Sequence, residues 1–214
     1  MSTIFVVAGY KTASTTLQNT FKARKTHNID FAKELPENID IILMPFRDNK
    51  VVYSSAYFQD IIVPTYEYSP FHKTQFLNKL TKVCSQHCGN CCDCKEEQKR
   101  KNIINTIPTN LLVKHYKTIN WNKYEHLNNI TRINIINKTY GTTIDYNSKE
   151  YQVYNIIVNN KPRKLISFNI DILNSQFNKL KEILGIKENI QLHSSNISNQ
   201  KWYKEKYREF INLI

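Results

Sequence analysis

Thr3-Ile4-Phe5-Val6-Val7-Ala8-Gly9-Tyr10-Lys11-Thr12-Ala13-Ser14-Thr15-Thr16-Leu17 decides the reading of this chain. Thr3 to Val7 is a β-branched and aromatic run that stops at Gly9. Thr15 to Arg24 follows with Leu17 and Phe21 one helical turn apart, so the segment reads as strand, loop and helix. The pattern then repeats. Ile39 to Phe46 is nearly continuously apolar, as expected of a strand covered on both faces, and Asn49 to Ile62 behind it is helical in spacing. Two strand-to-helix units within 62 residues predict an α/β fold with a parallel sheet.

Further along, Phe71 to Val83 has the spacing of an amphipathic helix and leads into a cysteine cluster and the charged run Lys95 to Lys101. A long helix is expected over Trp121 to Tyr140, ended by Gly141. Tyr151 to Val158 and Lys164 to Phe168 read as a hairpin joined at Asn159-Asn160-Lys161-Pro162. Helices are predicted over Leu173 to Leu184, stopping at Gly185, and over Gln200 to Leu213. No repeat and no low-complexity linker divides the 214 residues, which predicts a single domain, 1–214, with a cysteine-rich insertion at about 84–94.

A formal charge of +12 favours anionic partners, and because the lysines are spread along the chain, most of them read as solvated surface. The apolar stretch Ile4 to Ala8 is too short for a signal-peptide core, and no stretch approaches the roughly 20 apolar residues that span a bilayer. The expectation is a cytoplasmic or otherwise intracellular protein without a membrane span.

The loop Gly9 to Thr16 lies between a buried strand and a helix, where backbone N–H groups and the positive end of the helix dipole favour a phosphate. Lys11 adds a positive charge, and Thr15 and Thr16 add hydroxyls. It is not a Walker A loop, whose Lys comes at the end. The order Lys11-Thr12-Ala13-Ser14-Thr15-Thr16 instead resembles the 5′-phosphosulfate loop of sulfotransferases, K-x-G-[ST]-[TS], with Ala13 where that family often has Gly. Without a ligand, the same loop would simply be a helix start capped by Ser14 or Thr15.

A second stretch strengthens the resemblance. Arg47-Asp48-Asn49-Lys50-Val51-Val52-Tyr53-Ser54-Ser55-Ala56-Tyr57 follows the second strand and is similar to the sulfotransferase signature R-[DN]-P-x-x-x-x-x-S-x-[YF]. Asn49 stands in place of the Pro. The resemblance implies that Arg47 and Ser55 hold the 3′-phosphate of 3′-phosphoadenosine 5′-phosphosulfate (PAPS), a role suited to the planar fork of Arg. The distal run through Tyr140 to Asp145 and His193 to Tyr207 is more loosely similar to small sulfotransferase-like proteins of capsular polysaccharide synthesis.

Taken together, the resemblance implies a three-layer P-loop-like α/β fold, a central and mainly parallel sheet flanked by helices. It also implies sulfuryl transfer from PAPS to an acceptor hydroxyl, expected to be on a carbohydrate, with 3′,5′-adenosine diphosphate as product. Lys11 would stabilise the leaving phosphate oxygen. The acceptor must lose a proton as it attacks sulfur, and His27 lies where carbohydrate sulfotransferases often place a base. His72, His115 and Glu34 are the alternatives.

All five cysteines fall in one short segment. Cys84, Cys88, Cys91 and Cys94 could wrap a structural zinc ion, with Cys92 or His87 as substitutes; disulfides or a free thiol-rich loop are the other readings. That cluster and the positive charge suggest a zinc-stabilised nucleic-acid-binding module as one alternative function. A small nucleotide kinase and a binding protein with a degenerate sulfotransferase-like fold are the others. Nucleic acid is disfavoured because the basic residues form no dense stripe.

Overall fold

The computed structural model describes residues 3–9, 12–58, 105, 108–124, 127–193 and 203–214. The predicted helix Phe71 to Val83, the cysteine cluster, Lys11, His72, and residues 194–202 lie outside them. Two compact units are present: Met1–Val52 with Tyr124–Asn196, and Tyr53–Lys123 with Ile197–Ile214.

The chain begins with β1 (Ile4–Val7), α1 (Ser14–Phe21), β2 (Arg24–Thr26), β3 (Ile41–Phe46) and α2 (Asn49–Tyr57). Then come α3 (Thr109–Thr118), α4 (Asn129–Tyr140), β4 (Gln152–Val158), β5 (Lys161–Asn169), α5 (Phe177–Ile183) and α6 (Lys204–Ile211). The five strands of the first unit form one sheet in the order β2-β1-β3-β5-β4. β2, β1, β3 and β5 run parallel, and β4 is an antiparallel edge. The expected α/β architecture with a mainly parallel sheet is therefore present.

Alternation along the strands sends side chains to two separate cores. Phe5, Val7, Ile42, Met44, Phe46 and Leu165 pack on one face with Ile133 and Ile136 of α4. Val6, Ala8, Ile41, Leu43, Ile166 and Phe168 pack on the other with Leu17 of α1 and Phe177 and Leu180 of α5. β3 sits between β1 and β5 and is buried at all six residues, which explains its unbroken apolar sequence.

Three local features depart from the sequence reading. The first helix ends earlier than Arg24, because Lys22 turns left-handed (φ 51°) and Ala23 N–H returns to the Gln18 carbonyl, freeing Arg24–Thr26 to pair with β1. The helix expected from Trp121 starts at Asn129 instead, since the Asn128 side chain accepts from Thr131 N–H and caps it there; only a short 3-10 turn covers Trp121–Lys123. The hairpin closes over two residues, not four. Asn159 and Asn160 (φ 53° and 60°) form the whole turn, and Lys161 and Pro162 already pair with Val158 and Ile157. Pro162 is tolerated because β5 does not meet β3 until Lys164.

The second unit is held by aromatic packing. The rings of Tyr57 and Phe210 stack at 5.4 Å, Tyr116 meets Phe210 edge-on at 5.3 Å, and Phe58 contacts Tyr203, Tyr207 and Phe210. The helix α3 in this unit was not foreseen.

Candidate functional site

β1 and β3 are neighbours, and the chain leaves them toward opposite sides of the sheet. From β1 it goes through α1 to β2 on one side; from β3 it goes on to β4 and β5 on the other. Parallel sheets bind ligands at the carboxyl ends of strands where the order diverges in this way. The two segments singled out by sequence, Gly9–Thr16 and Arg47–Asn49, follow those two strand ends.

Within the first loop, Thr12 is fully buried and its hydroxyl donates to the Gly9 carbonyl at 2.8 Å, closing the loop on itself. Ala13 stands immediately before α1 in the left-handed region (φ 58°, ψ 22°) and no side chain caps the helix. Neither Ser14 nor Thr15 takes the capping role that a ligand-free helix start would give it. Thr15 Oγ1 accepts from Lys25 Nζ at 3.1 Å, so a lysine on β2 joins the site beside the loop. The placement of Lys25 depends on β2, which the sequence pattern did not reveal.

The β3–α2 turn is organised by its own side chains. Asp48 Oδ1 accepts from the backbone N–H of Lys50 at 2.8 Å and caps α2. Arg47 Nε lies 3.8 Å from Asp171 Oδ1, a partly exposed pair that does not involve Asp48. Asn49, at the position of the family's Pro, is heavily used. Its N–H donates to Tyr146 Oη at 2.7 Å, its Oδ1 accepts from Asn129 N–H at 2.8 Å, and its Nδ2 donates to Asn128 Oδ1 at 2.9 Å. A proline could make none of these bonds. Ser55 is half-buried on α2, and the boundary between the two units falls earlier on that helix, after Val52.

The start of α4 ties the two loops together. Buried Asn129 donates from Nδ2 to the Arg47 carbonyl at 3.0 Å, and its Oδ1 rests against Gly9. A Cβ on Gly9 would collide with that oxygen and stand 3.5 Å from Arg132 Cδ and Nε, so only glycine fits. Arg132 itself is 6% exposed and donates from Nη1 to the His27 carbonyl at 2.9 Å. Burial lowers its pKa, although a guanidinium remains charged in proteins. Sequence reasoning missed Asn129 and Arg132, because nothing in a helical stretch shows which residues its first turn will press against a distant loop.

His27 is exposed at the end of β2, and its Nδ1 lies 2.9 Å from the Ala8 carbonyl. A carbonyl can only accept, so Nδ1 carries the proton and the neutral ring keeps its lone pair on Nε2. Of the alternative bases, Glu34 is hydrogen-bonded by Thr26 and by Asn28, which lowers its pKa and makes it a poorer base. His115 belongs to the second unit, where burial lowers its pKa.

Among the described residues no group of three or more His, Cys, Asp or Glu side chains could hold a metal, and the Cys84, Cys88, Cys91 and Cys94 proposal concerns residues outside them. No described helix is long and apolar enough to cross a membrane. No protein-family model, curated protein or solved structure matches the chain, so what these loops can do is read from their own residues.

Proposed function

We propose that the chain is a sulfotransferase of P-loop-like fold that moves a sulfuryl group from PAPS to an acceptor hydroxyl, with a carbohydrate as the acceptor class. One observation carries the reading. Two anion-binding sequence patterns fall at the carboxyl ends of adjacent parallel strands where the strand order diverges, and Asn129 bridges them. The fit to a phosphate-bearing group is supported by a helix start that no side chain caps.

In this reading Thr12 through Thr16 cradle the 5′-phosphosulfate, and Arg47 holds the 3′-phosphate. The acceptor oxygen attacks sulfur as the bond from sulfur to the bridging phosphate oxygen breaks. His27 Nε2 takes the acceptor proton, for which the Nδ1–Ala8 hydrogen bond sets the correct tautomer. Lys11 neutralises the charge that builds on the departing phosphate.

Isothermal titration with 3′,5′-adenosine diphosphate, beside ATP with Mg²⁺, tests the proposal. Preference for the 3′-phosphorylated nucleotide is expected, with binding weakened about tenfold to a hundredfold by Arg47→Ala, the usual loss of a charge-assisted hydrogen bond. Folded protein that ignores this nucleotide would overturn the reading, and a preference for ATP with Mg²⁺ would turn it toward a kinase.

A further inference from the structure

Arg132 presents a charge that the fold itself does not explain. Its side chain is buried, it takes part in no ion pair among the described residues, and of its donors Nη1 alone reaches a partner among them, the His27 carbonyl. Nη2 is buried with no hydrogen-bond partner among the described residues. A neutral donor could satisfy one carbonyl equally well, whereas an uncompensated buried cation is among the most destabilising arrangements a core can hold.

The surroundings add positive potential instead of relieving it. Arg132 stands in the first turn of the 12-residue α4, at the positive end of that helix dipole, and no acidic residue lies in that turn. The first turn of α1 also lacks an acidic residue and a side-chain cap, while Lys25 reaches Thr15 at its start. Two carboxylates lie at the second loop and both are engaged: Asp48 caps α2, and Asp171 pairs with Arg47 Nε at 3.8 Å. Beside these elements lies Gly9, where the space a side chain would fill is taken by Asn129 Oδ1, with Arg132 Cδ and Nε 3.5 Å from where a Cβ would stand. Two helix starts without an acidic residue in their first turns, beside a buried guanidinium that has no ion pair among the described residues, make a place for an oxyanion.

We propose that Arg132 is the buried counter-charge of an oxyanion site beside Gly9, and that the site takes a phosphate or sulfate group where the β1–α1 loop enters α1, at Thr12 to Thr15. The inference rests on the reading of that loop as an anion site, and not on the identity of the sulfuryl donor. The carbonyl bond to His27 then has a second use, since it anchors the guanidinium beside the loop and fixes the backbone of the proposed base.

The test compares the full chain with Arg132→Met and Arg132→Lys. Each protein is melted with and without inorganic phosphate, then titrated with phosphate and with 3′,5′-adenosine diphosphate. Arg132→Met should fold and melt no lower than the parent without anion, because a long apolar side chain replaces an uncompensated charge. It should lose most of the phosphate-dependent rise in melting temperature and bind at least tenfold more weakly. Arg132→Lys should keep most of the affinity.

Unchanged phosphate affinity in Arg132→Met would overturn the proposal. So would an Arg132→Met protein that melts well below its parent in the absence of anion, since Arg132 would then be structural. Phosphate binding that depends on Arg132, in a protein that ignores 3′,5′-adenosine diphosphate, would support the oxyanion site while sinking the sulfuryl-donor reading. Dependence of both ligands on Arg132 would support the site as part of the donor pocket.

Discussion

Ala13 holds a backbone conformation that L-residues other than Asn and Asp seldom adopt, at the point where the first loop enters α1. The sulfotransferase pattern that this loop resembles has Gly there, and a left-handed φ at this position is what glycine accommodates without strain. Ala13→Gly should relieve about 1–2 kcal/mol of local strain. It should also return about 0.4–1 kcal/mol to the unfolded chain as backbone freedom. The expected result is a small rise in melting temperature, while Ala13→Val, β-branched at the same φ, should melt clearly lower. Thermal unfolding of the two variants checks both signs. The sequence showed the substitution but not its consequence, because φ is a property of the closed loop.

At the scale of elements, the link between the β3–α2 turn and the start of α4 is the feature that holds the candidate site in shape. Asn49 looked like a weakened motif position in the sequence, since a proline is usual there. The structure makes it a hub: its backbone N–H and both side-chain polar atoms bind Tyr146, Asn128 and Asn129. Asn49→Pro should therefore destabilise the protein even though it brings the motif closer to the family form. Three lost hydrogen bonds at about 1 kcal/mol each give a fall of about 3 kcal/mol, read as a lower urea midpoint.

In the second unit, α3 carries His115, whose Nδ1 lies 3.0 Å from the buried hydroxyl of Tyr57. Burial lowers the His115 pKa from its ordinary 6.5. The unfolded chain thus takes up a proton before the folded one as pH falls. Stability contributed by the neutral ring is present above pH 6.5 and is lost progressively below it, down to the lowered folded value. His115→Asn should flatten that acid loss, as followed by urea unfolding at a series of pH values.

At the scale of the molecule, the apolar runs carried the sheet. Ile41–Phe46 could be recognised as a central strand because burial on both faces leaves no polar alternation, and the β4–β5 hairpin could be recognised from Asn159-Asn160. β2 is three residues long and has only the single buried position Thr26, too little pattern to separate it from the end of a helix. The site was half legible. Its loops announce themselves as strand-loop-helix junctions, whereas Asn129, Arg132 and Lys25 reach it through tertiary contacts made by remote or unrecognised elements.

The central claim is that the loops after β1 and β3 together bind a nucleotide carrying a 3′-phosphate. An amide-resolved NMR titration of the labelled protein with 3′,5′-adenosine diphosphate tests this most directly. The account predicts saturable shifts at Gly9, Thr12 to Thr16, and Arg47 to Asn49, with smaller ones at the start of α4. Shifts confined to the opposite end of the sheet, around Lys22, Arg24 and Asn38, or no shifts at all in the folded protein, would contradict it.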